Sequence, residues 1–532
     1  MTDTHSFRSR RSMCYARRGM VCSSQPLAAQ AGLEMLKKGG NAVDAAVAAA
    51  AAHTVLEPTS NGLGSDAFAL VWHGGRLYGL NGSGPAPAAM SIAGMRGRGY
   101  GSMPERGWLS VDVPGAPGAW AELSRRFGRL PFDELLRPAA AYAREGYPVS
   151  PIVARLWQQQ AEQFGRGLRG AEFAEWFRVF TPGGRAPLEG EVWACPEMGD
   201  TLDALAESRC EKFYRGALAR KTASCAAEHG GALSEDDLAA YRPEWVEPVS
   251  VSYRGHEIWE LPPNGHGLVV LMALGLLAQD EPAGWSDAGA VHRRIEAMKL
   301  AFADGMEYIT DPRFMDVSPR ELLDGDYLAA RRALIGPRAA LPRAGDPRCG
   351  GTVYLCTADG EGSMVSFIQS NYRNFGSGIV VPGTGISLND RAFSFSLDEK
   401  HHNALRGGKR PYHTIIPGFI TRGGEAVGPF GVMGEYMQPQ GQLQAVVNML
   451  DGGMDAQAAL DTPRWQWVGG MDIEVEPAFP ESLASELAAR GHNVIRARDF
   501  LRFGRGQIIL RSPDGVLAAG TEPRADGFPA AW

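Results

Sequence analysis

Gly350, Gly351 and Thr352 stand in the run CGGTVYLCTAD at positions 349–359. A threonine hydroxyl directly after a glycine can attack the carbonyl of the preceding bond. The acyl group then shifts from nitrogen to oxygen, and water hydrolyses the resulting ester. Glycine at 351 brings no Cβ clash and tolerates strained backbone angles, which helps to expose that carbonyl. Once cut, Thr352 keeps its hydroxyl and gains an α-amine with an ordinary pKa of about 7.7–8.0. One residue then supplies both nucleophile and base, without a histidine dyad or a metal. The local pattern alone favours a blander reading, a loop entering a strand. VYLC alternates, ADGEG turns, and MVSFIQ at Met364–Gln369 returns as the second half of a β-hairpin.

The elements around this motif are those of a large soluble chain. Its 532 residues are 44% hydrophobic and 21% charged, enough for several lobes or one large α/β unit. A net charge of −7 argues against a nucleic-acid partner held by a positive field. No run of about 18 apolar residues is present to span a membrane. The basic cluster in MTDTHSFRSRRSMCYARRGM lacks an apolar segment after it and does not read as an export signal. The seven cysteines, Cys14, Cys22, Cys195, Cys210, Cys225, Cys349 and Cys356, never form a CxxC pair. Disulfides and a zinc cage are not expected, and the cytoplasm is the expected compartment.

Gln25–Lys38 reads as a helix with Pro26 in its first turn and lysines before Gly39-Gly40. An alanine-rich helix follows from Ala42 to about His53. AFALVW and RLYGLNG read as paired strands, and VPGAPGAW at Val113–Trp120 opens a further helix. Residues 130–330 are mostly helical, including His292–Ile309, with strands interrupting at Val249–Pro263. Arg338–Gly350 is rich in proline, glycine and charge and reads as an exposed linker. Short strands dominate from Thr352 to about Ser396, so composition also supports a boundary at 351/352.

Other chemical motifs fail. His401-His402 with His413 has no carboxylate or cysteine partner at a useful spacing, so no metal is expected there. HExxH, Walker A and dinucleotide fingerprints are absent. GSG at 376–378 lacks the frame of a nucleophile elbow.

Several segments together resemble the γ-glutamyltransferase family of N-terminal nucleophile (Ntn) hydrolases. They are SQPLAAQAGLEMLKKGGNAVDAAVA, EPTSNGLGSDAF, VPGAPGAW, IEAMKLAFAD with DPRF, TVYLCTADGEGSMVSFIQSNYRNFGSGI, GKRPYHTIIP and VMGEYMQPQG. The resemblance runs from about residue 20 to the end. It implies an α+β fold, a four-layer αββα sandwich built by two pieces of a self-cleaved precursor, 1–351 and 352–532, held together as a heterodimer. It also implies that the Ser370 hydroxyl orients the nucleophile. Gly434 and Glu435 match the pair whose backbone N–H groups stabilise the oxyanion. The Glu435 carboxylate is awkward near an oxyanion and is expected to point elsewhere.

The family's grip on glutamate is missing. The place of its carboxylate-binding arginine falls at about Asn81, and that of its amine-binding aspartate at Ser394. Its serine pair is replaced by His413-Thr414, and an asparagine by Tyr372. Each lost charge-assisted bond costs about 1.5–3 kcal/mol. The chain therefore looks more like the family's amidohydrolase and acylase branch, which includes oxamate amidohydrolases and cephalosporin-type acylases. Arg391, Tyr372, His413 and Thr414 suit a small anionic amide, with Arg391 as the carboxylate clamp. The expected reaction is hydrolysis of such an amide, oxamate being the best single choice, with no cofactor. A γ-glutamyl hydrolase or transferase, a cephalosporin-type acylase and an uncleaved binding relative are the alternatives. FSFSLDEKHHNALRGGKRP at 393–411 is a candidate lid.

Overall fold

A strand whose side chains are buried on both faces needs cover on both sides. Val353–Asp359 and Met364–Ser370 are of this kind, and every residue of both is buried. They pair antiparallel, from Val353 opposite Gln369 to Ala358 opposite Met364. The computed structural model, which describes residue 9, residues 11–342 and residues 352–532, sets this hairpin in a seven-stranded sheet. Its order is Ala530–Ala531, Gly19–Ser23, Val353–Asp359, Met364–Ser370, Asp66–His73, Arg76–Gly82 and Glu244–Val246.

A second seven-stranded sheet runs Cys14–Ala16, Leu517–Thr521, Arg505–Arg511, Glu425–Met433, Gly418–Arg422, His256–Glu260 and Val249–Tyr253. Tyr354, Cys356, Phe68, Ile368, Phe419 and Ile509 belong to the apolar layer that joins the two sheets. Leu355, on the other face of its strand, packs with the helices instead. Pro26–Lys37 and Ala42–Leu56 cover the first sheet, Phe132–Glu145 packs on Ala42–Leu56, and Pro196–Ser208 packs on Phe132–Glu145. Gly267–Leu277 and Met437–Leu450 cover the second, and Ala288–Tyr308 packs on Gly267–Leu277. The result is the four-layer αββα sandwich. Among the described residues, no helix is long and apolar enough to cross a membrane.

The helix at Ala42–Leu56 is buried along its whole length, as its lack of a polar face requires. Asn41 and Asp44 close its N-terminus as a capping box. Small side chains let the sheet come close, so that Gln369 Nε2 donates to the Ala50 carbonyl at 2.8 Å. The helix runs three residues beyond His53 because that ring finds a partner inside, Ser23 Oγ at 2.6 Å. The preceding helix begins at Pro26, because the Gln25 side chain caps it by accepting the Leu27 and Ala28 amides.

Residues 393–411 are tied down on one side. Phe395, Leu397 and Leu405 pack against Met90, Ile92 and Met95.

Candidate active site

Antiparallel pairing alone positions the first two groups. The register that sets Val353 opposite Gln369 brings Thr352 and Ser370 together one step further along. Thr352 Oγ1 lies 3.1 Å from Ser370 Oγ, and both residues are fully buried. Ser370 Oγ also accepts the Tyr372 amide at 2.8 Å. Gly351, the other side of the expected cut, lies outside the described residues.

A third group comes from the opposite layer. Gln438, in the first turn of Met437–Leu450, aims Nε2 at Thr352 Oγ1 across 3.4 Å. Its Oε1 accepts the Ile416 amide at 3.1 Å, which fixes which end of the carboxamide faces the threonine. A donor there favours the charge that develops on Oγ1 during attack. Sequence reading did not single out Gln438, although it lies within VMGEYMQPQG; a glutamine has no chemical signature until its partner is known. We expect Gln438→Leu to slow appearance of the cut chains roughly ten- to hundred-fold, as loss of one bond to a charged oxygen predicts. Timed denaturing gels during expression measure this.

Gly434 and Glu435 take consecutive positive φ values, +135° and +49°. Successive amides in such turns point to one side and form an anion-binding concavity. Gly434 suits this angle; Glu435 holds a left-handed conformation that costs a side-chain-bearing residue about 1–2 kcal/mol. The Glu435 carboxyl does not reach solvent. It is fully buried, and neither oxygen has a hydrogen-bond partner among the described residues. Burial pushes its pKa well above the carboxylate range, against the pull of Arg373 and Arg391.

Arg391 follows Asn389, whose Oδ1 accepts the Arg391 amide at the start of the short turn Arg391–Ser394. Its guanidinium is fully buried, stacked 4.0 Å from the centre of the Tyr372 ring. Nη1 donates to Thr414 Oγ1 at 2.9 Å, and Nε stands 3.9 Å from Asp66 Oδ2. Nε and Nη2 have no hydrogen-bond acceptor among the described residues. These two N–H groups form the side-on edge of the fork that receives a carboxylate bidentately.

His413 is oriented by two contacts. Nδ1 accepts the Ile415 amide at 3.4 Å, so the proton sits on Nε2, which donates to Asp66 Oδ2 at 2.9 Å. Burial, with the Arg391 charge, holds His413 well below its ordinary pKa. Burial likewise pushes Asp66 up to about 7, while Arg391 and the Gly84 amide pull it down. Asp66 pairs directly across from Ser370 in the sheet. It is the second group that sequence reading passed over, one acid among many in a turn-rich stretch.

The remaining expected positions lie nearby with different duties. Asn81 donates to Asn264 Oδ1 at 2.9 Å, and the Asn264 carbonyl accepts the His413 amide. Ser394 Oγ is spent on the carbonyls of Arg391 and Tyr412. The rings of His401 and His402 lie 4.3 Å apart, tilted by 32°, while His413 turns to Asp66, so those three rings do not converge. Two cavities of about 400 and 450 Å³ lie elsewhere and are lined by none of these residues.

A buried threonine directly before the first strand of a central hairpin, with a serine hydroxyl 3.1 Å away, lies on the αββα sandwich of the Ntn-hydrolase class. The family model for gamma-glutamyltranspeptidase matches residues 28–532. The chain is 36% identical to the glutathione hydrolase-like YwrD proenzyme of Bacillus subtilis, covering 96% of this chain and 97% of that one. It is 35% identical to the oxamate amidohydrolase proenzyme of Klebsiella pneumoniae, with 97% and 98% covered. Among solved structures, a cephalosporin acylase from Bacillus halodurans superimposes with a TM-score of 0.96 at 54% identity, covering 100% and 99%. The chain belongs to the γ-glutamyltranspeptidase family and is, like these relatives, a hydrolase of amide bonds.

Proposed function

We propose that this chain is a self-processing amidohydrolase that cleaves small carboxylate-bearing amides through an acyl-enzyme on Thr352, with oxamate as the preferred candidate. The observation that carries this reading is Arg391, buried on Tyr372 with its carboxylate-binding edge unpartnered. Contacts link it to the nucleophile through Tyr372 and Ser370. In the precursor, Thr352 Oγ1 attacks Gly351 and the chain parts into 1–351 and 352–532, which stay together.

In the mature enzyme the α-amine of Thr352 takes the hydroxyl proton as Oγ1 bonds to the amide carbon. The oxyanion forms against the amides of Gly434 and Glu435. Collapse breaks the C–N bond, and the α-ammonium returns the proton to the leaving nitrogen, releasing ammonia and leaving an oxalyl ester. Water, deprotonated by the same amine, then frees oxalate and the threonine.

The 54% identity to a cephalosporin acylase favours a second reading, removal of a larger carboxylate-bearing acyl group from an amine. A γ-glutamyl donor suits the site less, because Asn81 and Ser394 supply neither the arginine nor the acid that such a donor needs. We assign the enzyme to the cytoplasm on its cysteine usage; Cys22 and Cys356 lie opposite each other in adjacent strands as free thiols. The test is direct comparison of ammonia release from oxamate with p-nitroaniline release from γ-glutamyl p-nitroanilide. Faster turnover of oxamate is expected, and the reverse order overturns the proposal.

A further inference from the structure

A second cluster of chemically able groups lies on the other sheet's helical cover. His292 and Glu296, one turn apart on Ala288–Tyr308, meet His492 from the turn after Glu481–Ala489. All three are buried, and one ligand atom from each lies within 4.8 Å of the others. We propose that His292 Nδ1, His492 Nε2 and a Glu296 oxygen bind a borderline divalent metal, Zn²⁺ by preference, and that this site is tied to the chain just upstream of Thr352.

The ligand chemistry follows from the hydrogen bonds. His292 Nε2 lies 2.9 Å from the Gly336 carbonyl, which can only accept, so the His292 proton is on Nε2. Its Nδ1 lone pair faces His492 Nε2 at 2.8 Å. With Nε2 donating and Nδ1 accepting, the His292 ring is neutral, the form that ligates. Two nitrogens on one tetrahedral Zn²⁺ stand about 3.3 Å apart, so the pair must open by only about 0.5 Å. His492 Nε2 and Glu296 Oε1, now 4.0 Å apart, must close by a similar amount. The His492 proton moves to Nδ1, which has no hydrogen-bond partner among the described residues. Two neutral imidazoles and a carboxylate suit Zn²⁺ better than Ca²⁺ or Mg²⁺.

Lys299 is the competitor, its Nζ 2.6 Å from Glu296 Oε1. It has somewhere to go, since it lines a cavity of about 450 Å³ beside Glu296, Arg331, Ala340 and Leu341. The outer atoms of two ligands are held by the segment that leads to the cut. His292 Nε2 holds the Gly336 carbonyl, and Glu296 Oε2 accepts the Ala340 amide at 3.0 Å. The Ala339 amide binds the Arg490 carbonyl two residues before His492. Such outer partners orient metal ligands, so a bound ion fixes the segment and the segment fixes the site.

Metal-stripped full-length protein, dialysed against Zn²⁺ and analysed for zinc per chain, tests this. One tightly held zinc is expected, with Co²⁺ giving the visible bands of low coordination number. His492→Ala and Glu296→Gln should weaken binding by about a hundred-fold or more, beyond the range seen for outer-shell changes. Lys299→Met should tighten it, a gain that misfolding does not produce. No retained zinc in the wild type, equal binding in His492→Ala, or no gain in Lys299→Met would each overturn the proposal.

Discussion

Thr352→Ala should leave one uncut chain, while the wild type should run as two pieces, the smaller beginning at Thr352. The same substitution lowers amide turnover by roughly four orders of magnitude or more, since nothing else in the site replaces the nucleophile. Intact mass on freshly purified protein reads the first effect and ammonia release the second. Ser370 and Gln438 touch Oγ1 but neither takes its place. Thr352→Ser retains a hydroxyl and should still cut. A wild type that stays whole after long incubation would remove the mechanism altogether, because the α-amine that serves as base exists only after the cut.

Arg391→Lys should leave self-cleavage intact and damage turnover of oxamate. Lysine keeps the charge that Asp66 faces but loses the two-pronged edge and the guanidinium's close contact with the Tyr372 ring. Each lost charge-assisted bond is worth about 1.5–3 kcal/mol, or roughly ten- to hundred-fold in kcat/KM. The loss should appear for anionic amides and be much smaller for an uncharged amide of similar size. Equal losses on both would mean that Arg391 holds the site's shape and does not read the substrate's charge.

Elements with a strong period were legible before the structure. The hairpin of VYLC and MVSFIQ was legible from alternation and a turn, whereas the pairing of Ser370 with Thr352 came from the family resemblance. The αββα arrangement followed from the family resemblance, not from any local pattern. Gln438 and Asp66 were hidden for a physical reason: each matters through a partner more than eighty residues away in the chain, Thr352 in one case and His413 in the other. Arg391 could be named but not placed. An arginine in NDRAFSFSL looks equally suited to the surface, and only the folded chain buries it beneath Tyr372.

The strand orders have a further consequence for the cut enzyme. In the first sheet, Val353–Asp359 and Met364–Ser370 sit between Gly19–Ser23 and Asp66–His73. In the second, the strands from Gly418 to Thr521 sit between Cys14–Ala16 and His256–Glu260. The pieces are interleaved like the fingers of two clasped hands. Parting them would strip hydrogen-bonded ladders from both sheets and open the apolar layer between them. Scission is thus a one-way step: the fold has to be completed as a single polypeptide first, and the two products inherit an association that they have no simple route to rebuild once it is lost.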